Sequence, residues 1–247
     1  MSVSEPLDIK NYIGLTGDTP IRFIASDVDG TLVNDAKSVE PEVVNAVRAA
    51  RESGIRVAIA SGRAWHEMDD VIEAMPCLRY FVCTNGAYVM DKEEQKELVH
   101  ISFDKTCAMD LVRKLMTYGV FVEAYVKAEI FGQYPVVGNE TAQAEHFFRP
   151  NIRPFILKTR TMVPDLLAHL ESLPEGPEKI QIFYGDERIR ERILADLRDD
   201  FQGAATDGKG RERFYDVLES SEGNLEFVLP HTTKGTAVEA LANHWGY

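Results

Sequence analysis

The sequence predicts an α/β fold built on a parallel sheet that is covered by helices, and three observations carry that prediction. Short apolar runs, "IRFIAS", "IRVAIA" and "RYFVC", alternate with segments of helical periodicity. Each run ends in small or polar residues, which is typical of strands buried in a parallel sheet. The resulting order, strand–helix–strand–helix–strand, is one in which ligands bind at the carboxyl ends of the strands.

The first predicted strand and helix follow a lead-in of mixed residues, 1–20, which shows no clear period. The run 21–26 is apolar and is bounded by a proline and an acidic stretch, so we expect a strand buried on both faces. Residues 41–53 place apolar side chains on one helical stripe, with Pro41 in the first turn and Gly54 after the last. Both residues are helix boundary signals, and a helix is therefore expected between them.

Two more strands complete the first part of the predicted core, residues 21–87. The run 55–60 is apolar, a helical stripe follows it and ends before Pro76, and the run 79–83 is apolar again. Three such runs with a helix between each pair predict neighbouring parallel strands. The segments that end them, DVDGT, SGR and TNG, should therefore meet at one edge of the sheet.

A second α/β unit is predicted between residues 88 and 228, as an insertion into the core. Its strands are expected to be more exposed to solvent than those of the core. The segment "FILKTR" (155–160) is among its predicted strands. The other predicted elements are a hairpin after Gly86, helices near 105–118, 140–148, 164–172 and 186–198, and strands near 120–126, 129–134 and 179–184. The segment "NLEFVLP" (224–230) then leads out of this unit. Residues 229–247 then return to the core and begin a helix with Lys234 at its mouth.

The bulk composition narrows the class of protein. The 247 residues, 45% of them hydrophobic and 27% charged, suit a soluble globular protein of one large domain or two modest ones. A net charge of −13 argues against nucleic acid as a partner, and an anionic substrate would need a local cationic site. The three cysteines lack CxxC spacing, so neither a disulfide framework nor a zinc site is indicated. No signal-peptide pattern or apolar stretch of about 18 residues is present, so we expect a cytoplasmic protein without a membrane partner.

The two aspartates of "DVDGT" are the first candidate site residues. Residues i and i+2 of an extended segment point the same way, so Asp27 and Asp29 can address one site. Two carboxylates so close together repel each other, and a hard divalent cation such as Mg²⁺ bound between them would neutralise their charge. Gly30 permits a tight backbone whose N–H groups could cradle an anion, and Thr31 adds a hydroxyl. The alternative is an acidic turn that ends a strand and binds nothing.

Polar residues at the other strand ends would surround that pair. Ser61 could donate to a phosphate oxygen or simply cap the helix that follows. Lys234 could neutralise charge on a transferred phosphoryl group or be a solvated surface lysine. Asn85 and Gly86 are equally consistent with a hairpin turn, and Arg63 with either an anion site or an ordinary ion pair.

Taken in order, these segments resemble the motifs of the haloacid dehalogenase superfamily: DVDGT, SGR and TNG after successive strands, and TKGTA after the inserted unit. Within it the chain is most similar to the Cof-type phosphatases, whose large α/β cap follows the third strand. The resemblance covers about residues 21–247. It implies a Rossmann-like parallel sheet core with an inserted α/β cap domain. It also implies Mg²⁺-dependent hydrolysis of a small phosphorylated metabolite such as a sugar phosphate, a nucleotide or a cofactor phosphate.

The resemblance further implies a role for each candidate residue. Asp27 would be the nucleophile that takes the phosphoryl group as an aspartyl-phosphate, and it would also ligate Mg²⁺. Asp29 would protonate the leaving oxygen and then activate water, and its backbone carbonyl would ligate the metal. Ser61 and Lys234 would bind the phosphoryl oxygens. The full set expected around phosphate and substrate is Gly30, Thr31, Ser61, Gly62, Arg63, Asn85 and Lys234.

One motif of the family has no counterpart in this sequence. Family members carry a strand followed by G-D-x-x-N-D after the lysine helix, and its acidic residues complete the magnesium site. No such segment follows Lys234, and neither Gly17-Asp18 nor Gly185-Asp186 is followed by Asn-Asp. We therefore expect a core truncated at its C-terminus, or a natural short form with little or no activity.

Two other hypotheses come from different classes of protein. A phospho-accepting signalling module also places an acidic pair, a hydroxyl and a lysine around one aspartate, but such modules are single small domains with the acceptor on a later strand. A catalytically inactive binding protein on the same fold is the stronger rival. Cap residues would select the substrate, and the sequence pattern leaves open which of four faces the site: Tyr125, Arg149, Lys158 or Phe183.

Overall fold

The computed structural model describes residues 20–34, 38–136, 138–197 and 214–247. These residues form two sheets, one of five strands and one of six. Residues 1–19 of the expected lead-in lie outside the described part of the chain. Within the described ranges, no helix has the length and apolar character needed to cross a membrane.

The first sheet has the order β1-β2-β3-β4-β5 and contains the predicted parallel strands. Its members are β1 Phe23–Ser26, β2 Arg56–Ala60, β3 Tyr80–Cys83, β4 Tyr88–Asp91 and β5 Lys96–His100. β1 pairs with β2 and β2 with β3 in parallel, as the alternating pattern predicts. β4 and β5 continue the sheet as antiparallel strands. The carboxyl ends of β1, β2 and β3 thus lie at one edge.

Helices cover both faces of this sheet. The α-helices of the described residues are α1 Pro41–Glu52, α2 Asp69–Ala74, α3 Lys105–Met116, α4 Glu140–Phe147, α5 Arg153–Thr159, α6 Leu166–Ser172, α7 Glu187–Asp196 and α8 Lys234–His244. Val47 of α1 and Val71 of α2 pack against alternate side chains of β2 and β3 on one face. Ala237 and Leu241 of α8 pack against the other face. The helix that carries Lys234 is therefore held against the predicted core.

β1 is the edge strand of the first sheet, and the prediction that it is buried on both faces is wrong. Ile24 is 38% exposed, and Ala25 is exposed as well. Among the described strands only β2 pairs with β1, so one edge of its backbone has no described partner. Apolar composition predicts that a segment is a strand, whereas its burial depends on which segments pack beside it.

The second sheet has the order β10-β11-β9-β6-β7-β8. Its members are β6 Phe121–Val126, β7 Glu129–Gln133, β8 Thr161–Met162, β9 Lys179–Phe183, β10 Asp216–Leu218 and β11 Asn224–Val228. Neighbouring strands are antiparallel except for the short parallel pair of β7 and β8. α3, α6 and α7 bury apolar residues such as Leu115, Leu170 and Ile193 against one face. The other face packs in part against α4 and α5, through Phe121 and Phe183. Lys179 and Glu226 of the same face contact the loops that follow β2 and β3.

The prediction of a strand at 155–160 is wrong, because this segment lies mostly in helix α5. Pro154 lies in the first turn of that helix, where its fixed φ and missing N–H suit a helix start. Ile156 is buried in the same apolar cluster as Phe183. A run as short as "FIL" does not distinguish a strand from a buried turn of helix.

The hairpin predicted after Gly86 is present, and it extends the first sheet because β4 pairs with β3. The inserted unit was expected to span 88–228, whereas the second sheet begins only at β6. We therefore propose that the inserted unit begins after His100. The rest of the proposed division, with residues 229–247 returning to the first unit, is consistent with the packing of α8 on the first sheet.

Candidate active site

The carboxyl ends of the parallel strands open onto a cavity of about 650 Å³ between the two sheets. Seven of the nine predicted site residues line it: Asp27, Asp29, Ser61, Gly62, Arg63, Asn85 and Lys234. The remaining two, Gly30 and Thr31, are exposed and lie outside its lining. Gly30 has a φ of 73°, a left-handed conformation that glycine adopts easily, so it allows the tight turn after Asp29. Three strand ends therefore converge as the strand pattern predicts, and the start of α8 joins them as the family resemblance implies.

Asp27 is held at the end of β1 by two hydrogen bonds. Its Oδ1 accepts from the N–H of Val28 at 2.7 Å, and its Oδ2 accepts from Lys234 Nζ at 2.8 Å. Lys234 is the first residue of α8, whose start is fixed by a capping box between Thr233 and Thr236. The ammonium group thus stands beside a partly exposed carboxylate, and its charge favours an anionic ligand there.

Asp29 forms a bidentate ion pair with Arg63. Arg63 Nε donates to Asp29 Oδ2 at 2.9 Å, and Nη2 donates to Oδ1 at 2.8 Å. Arg63 Nη1 also donates to Asp70 Oδ1 at 3.3 Å. Burial by itself would lower the pKa of Arg63, but the hydrogen bonds and negative charges of both aspartates raise it. Arg63 was expected either to bind an anion or to form an ordinary ion pair, and the structure shows the ion pair. The guanidinium also lines the cavity.

Backbone hydrogen bonds fix the loop 61–63 against the end of β3. The N–H of Thr84 donates to the carbonyl of Arg63 at 2.9 Å, and the N–H of Asn85 donates to that of Ser61 at 3.0 Å. Ser61 is buried, and its Oγ accepts from the N–H of Arg63 at 3.2 Å. The hydroxyl is therefore oriented within the loop and lies at the cavity wall.

Three consecutive residues after β3 have left-handed backbone conformations. The φ angles are 48° at Thr84, 56° at Asn85 and 105° at Gly86. This conformation is costly for a β-branched residue, and such strain is concentrated at functional sites. At Gly86 a Cβ atom would clash with the backbone carbonyl of Thr233. Glycine there allows the start of α8, and with it Lys234, to approach the loop, so the Asn-Gly pair does more than form a turn.

The opposite wall of the cavity is a face of the second sheet that the sequence analysis missed. In β6, β9 and β11, alternate residues point to this face, while the intervening apolar residues pack with α3, α6 and α7. The strand residues of this face that line the cavity, hereafter the polar face, are Tyr125, Lys179, Gln181, Phe183, Asn224 and Glu226. The signal lies in "FVEAYV", "KIQIF" and "NLEFV", where polar residues recur at every second position of otherwise apolar strands.

Of the four residues left open by the sequence, two line this cavity and two do not. Tyr125 and Phe183 are in its wall, whereas Lys158 and Arg149 line two smaller depressions elsewhere. Phe155 of α5 also lines the cavity, with the guanidinium carbon of Arg63 5.5 Å from its ring centroid. The cavity therefore combines aromatic surface with charged and amide groups.

A second polar cluster joins the two sheets away from the cavity. His100, at the end of β5, has Nε2 2.7 Å from Glu178 Oε1 and Nδ1 3.0 Å from Glu175 Oε2. Lys127 Nζ lies 3.0 Å from Glu175 Oε1, and the Lys127 N–H donates to Glu178 Oε1 at 2.7 Å. The hydrogen bond to Glu178 and the nearby negative charges raise the pKa of His100, while burial raises the pKa of Glu178.

We expect the contribution of His100 to the free energy of unfolding to fall as pH rises above about 6.5, the ordinary pKa of histidine. A histidine with a raised folded-state pKa contributes stability that is complete below its unfolded pKa and is lost as pH rises through the folded one. His100 faces Glu97, Glu175 and Glu178, with the ring of Tyr88 at 6.0 Å. Urea denaturation at several pH values should give a flatter pH dependence for His100→Gln. An identical dependence in the variant and the wild type would contradict this assignment.

The oxygen donors at the strand end are of the kind that a hard divalent cation prefers. The carboxylate of Asp27 and the backbone carbonyl of Asp29 would serve, and Mg²⁺ commonly completes its shell with water and substrate phosphate. Within the described ranges, no group of three or more His, Cys, Asp or Glu residues is placed to hold a metal ion. The residues present therefore fit Mg²⁺ provided that water and substrate supply the remaining oxygens.

Comparison with known proteins identifies the family to which the chain is similar. A family model of haloacid dehalogenase-like hydrolases matches residues 24–247 of the chain. Phosphatase YwpJ of Bacillus subtilis (strain 168) is 30% identical over 231 residues, which cover 90% of this chain and 78% of the relative. Pyridoxal phosphate phosphatase YbhA of Escherichia coli (strain K12) is 27% identical over 114 residues, 46% of this chain and 42% of the relative. A haloacid dehalogenase-like hydrolase structure from B. subtilis shares the fold, with a TM-score of 0.72 and 22% identity over 91% of this chain and 79% of the other.

Proposed function

The chain belongs to the haloacid dehalogenase-like hydrolases, and from that premise we propose that it is a phosphatase that hydrolyses a small phosphorylated metabolite through an aspartyl-phosphate on Asp27. The observation that carries the proposal is the place of Asp27 at the cavity wall, with Lys234 Nζ 2.8 Å from its Oδ2. Ser61 lies at the next strand end. A carboxylate nucleophile, a cation for the phosphoryl charge and a hydroxyl donor are what phosphoryl transfer to a side chain needs.

The proposed reaction has two steps. In the first, an Asp27 oxygen attacks phosphorus, the bond from phosphorus to the leaving oxygen breaks, and Asp29 gives that oxygen a proton. In the second, water attacks the aspartyl-phosphate, Asp29 takes a proton from the water, and inorganic phosphate leaves as Asp27 is regenerated. Throughout, Lys234 reduces repulsion between the Asp27 carboxylate and the anionic phosphoryl group.

The ion pair between Asp29 and Arg63 places a condition on the first step. Both Asp29 oxygens accept hydrogen bonds from Arg63, at 2.8 and 2.9 Å, so one of these bonds must open before Asp29 can act as a proton donor. An arriving phosphoryl group would compete with Asp29 for the guanidinium, because both are anions that accept charge-assisted hydrogen bonds. In the second step the carboxylate is already in the form that a base requires.

The proposal includes Mg²⁺ as a cofactor. It would be held by Asp27 and Asp29 together with water and phosphate oxygens, and when bound it supplies positive charge that neutralises the phosphoryl group. Lys234 and Arg63 supply part of the same compensation in a chain whose net charge is −13. These local cations are what an anionic substrate needs near an acidic surface.

The second unit would act as a cap, and aromatic and amide side chains at the cavity would contact the leaving group. Phe155 and Phe183 offer aromatic surface, while Gln181 and Asn224 offer side-chain amides at the same cavity. A mixture of aromatic and hydrogen-bonding groups suits small metabolites that combine a ring with polar substituents. The proposed substrates remain sugar phosphates, nucleotides and cofactor phosphates, the last being the class named for the Escherichia coli relative.

Asp29→Asn tests the proposal by separating its two steps. p-Nitrophenolate leaves without a proton donor, so we expect p-nitrophenyl phosphate to phosphorylate the variant at Asp27, giving a burst of about one equivalent of nitrophenol. Steady turnover should then be about 10²–10⁴-fold slower than in the wild type, because water attack lacks its base. A hexose phosphate, whose leaving oxygen needs a proton, should give no burst. Stopped-flow absorbance and rapid-quench phosphate assays with Mg²⁺ measure both.

Two results would count against these assignments. Equal loss of burst and steady turnover on the aryl ester would contradict the acid–base role of Asp29. Absence of hydrolysis of both aryl and alkyl phosphates by the wild-type chain, over a full Mg²⁺ titration, would contradict the phosphatase proposal itself.

A catalytically inactive binding protein on the same fold is the second candidate. The observation that favours it is the bidentate ion pair with Arg63, which engages both carboxylate oxygens of Asp29, the proposed acid–base residue. This candidate predicts calorimetric binding of inorganic phosphate with no turnover at any Mg²⁺ concentration. Binding and activity measured on the same preparation therefore distinguish the two.

A further inference from the structure

Two charged residues of the polar face reach across to the phosphate side of the cavity. Lys179 Nζ donates to the backbone carbonyl of Gly62 at 3.1 Å. Glu226 Oε2 accepts from Asn85 Nδ2 at 3.0 Å. Gly62 is the middle residue of the loop 61–63, and the N–H of Asn85 donates to a carbonyl of the same loop. The loop itself and Asn85, which hydrogen-bonds to it, are therefore both in contact with the second sheet.

Lys179 and Glu226 depend on each other, because both charges are buried. Their side chains are 2% and 6% exposed, and Nζ lies 3.6 Å from Glu226 Oε1. Nζ also stands 3.9 Å from the centroid of the Tyr125 ring, and Glu226 Oε1 accepts from Ser220 Oγ at 2.5 Å. A buried ammonium or carboxylate is tolerated only when it is paired and hydrogen-bonded. The pair is thus fixed in position by its own surroundings.

The loop has little room to move independently of these contacts. A Cβ atom at Gly62 would lie 2.8 Å from Asn85 Oδ1, so the Asn85 amide packs directly on the loop. Glu226 sets the orientation of that amide, and Lys179 sets the direction of the Gly62 carbonyl. Lys179 thus acts on Gly62 through its carbonyl, and Glu226 acts on the Asn85 side-chain amide that packs against the same residue.

We propose that Lys179 and Glu226 are positioning residues that hold the loop 61–63 in the geometry that binds the phosphoryl group. The inference rests on the proposed function, which assigns this loop to phosphate. Lys179 acts through the carbonyl of Gly62, and Glu226 acts through the amide of Asn85. A residue that contacts the leaving group changes selectivity between substrates, whereas this pair affects the phosphoryl group that all substrates share.

The test compares Lys179→Met with Lys127→Met, a lysine of the second sheet unit that pairs with Glu175 at the surface. Calorimetry gives the Kd of inorganic phosphate, and steady-state assays give kcat/KM for one aryl and one alkyl phosphate. In Lys179→Met we expect the phosphate Kd to rise about tenfold, because the free energy of one charge-assisted hydrogen bond corresponds to about that change in an equilibrium constant. kcat/KM should fall by a similar factor on both esters, and Lys179→Arg should restore part of the loss. Lys127→Met should match the wild type.

Lys179→Met leaves Glu226 buried without its cation, so the double variant Lys179→Met/Glu226→Gln is measured beside it. The double variant carries no orphan charge and should fold, yet it should bind phosphate about as weakly as the single variant. An unchanged phosphate Kd in the folded double variant, or a loss confined to one ester, would overturn the inference. A tenfold change in phosphate Kd without turnover in the wild type would support the inference and contradict the proposed function. A wild-type chain that binds no phosphate would contradict both.

Discussion

Asp27→Asn is expected to reduce turnover of phosphate esters by about 10⁴-fold or more while the chain remains folded. The neutral amide is a poor nucleophile, so no aspartyl-phosphate forms. The amide oxygen can still accept the N–H of Val28, which donates to Asp27 Oδ1 at 2.7 Å, so the turn keeps its support. Lys234 loses its partner, but its side chain is partly exposed and can be solvated. Phosphate release from p-nitrophenyl phosphate with Mg²⁺ measures the loss.

Asp110→Asn is the matched control, because Asp110 is exposed and pairs with Arg113 on the surface of α3. Its turnover should equal that of the wild type. A second measurement identifies the intermediate: acid-quenched Asp29→Asn should carry one phosphoryl group on the peptide that contains Asp27. The same peptide should be unmodified in Asp27→Asn/Asp29→Asn. Persistent turnover in Asp27→Asn, or phosphorylation of another residue, would contradict the nucleophile assignment.

The residues at the strand ends could be predicted from the sequence because a parallel sheet brings its carboxyl ends to one edge. Asp27, Ser61 and Asn85 each come directly or almost directly after an apolar run, so backbone geometry alone brings them together. Lys234 is a different case, since it lies 207 positions from Asp27 in the chain. Local pattern places Lys234 at the start of a helix, and only the resemblance to a family predicted its approach to Asp27.

The incorrect predictions concern which segments pack against each other. The run 21–26 is a strand as expected, but its exposed edge depends on the strands beside β1. "FILKTR" forms most of α5, because Pro154 starts a helix there and a short apolar run fits either structure. The polar face was missed for a related reason. One polar residue in an apolar strand is an exception, and only the adjacency of β6, β9 and β11 makes these residues a wall.

Arg160→Met is expected to lower the free energy of unfolding by about 3–5 kcal/mol, the largest stability effect of a single substitution that we predict. Its guanidinium donates to both oxygens of Glu123, from Nε at 3.0 Å and from Nη2 at 3.1 Å, and its Nη1 pairs with Glu67. The three side chains are 3%, 0% and 4% exposed respectively. Without the cation, two buried carboxylates lack a counter-charge, which costs far more than the lost contacts.

The guanidinium of Arg160 keeps its charge in the wild-type ion pairs. Burial by itself would lower the pKa of Arg160, but Glu123, Tyr125 and Glu67 raise it well above its ordinary value, so the guanidinium stays charged. Arg160→Lys keeps the charge but loses the planar fork that contacts both oxygens of Glu123, so we expect a smaller loss than in Arg160→Met. Urea denaturation followed by circular dichroism measures both variants. Arg113→Met, which removes an exposed ion pair, should change the free energy by only about 0–1 kcal/mol.

A triple variant shows whether Arg160→Met loses stability because buried carboxylates lack a counter-charge or because packing is lost. Glu67→Gln and Glu123→Gln, added to Arg160→Met, remove both uncompensated carboxylates and should restore most of the lost stability, whereas a packing defect would persist. Glu67 lies in the 3₁₀ turn Trp65–Met68 before α2, and Glu123 lies on β6, so Arg160 is a counter-charge shared by the two sheets. A loss in Arg160→Met no larger than in Arg113→Met would mean that this ion-pair network does not hold the sheets together. The cavity between the sheets would then depend on Lys179, Glu226 and the His100 cluster.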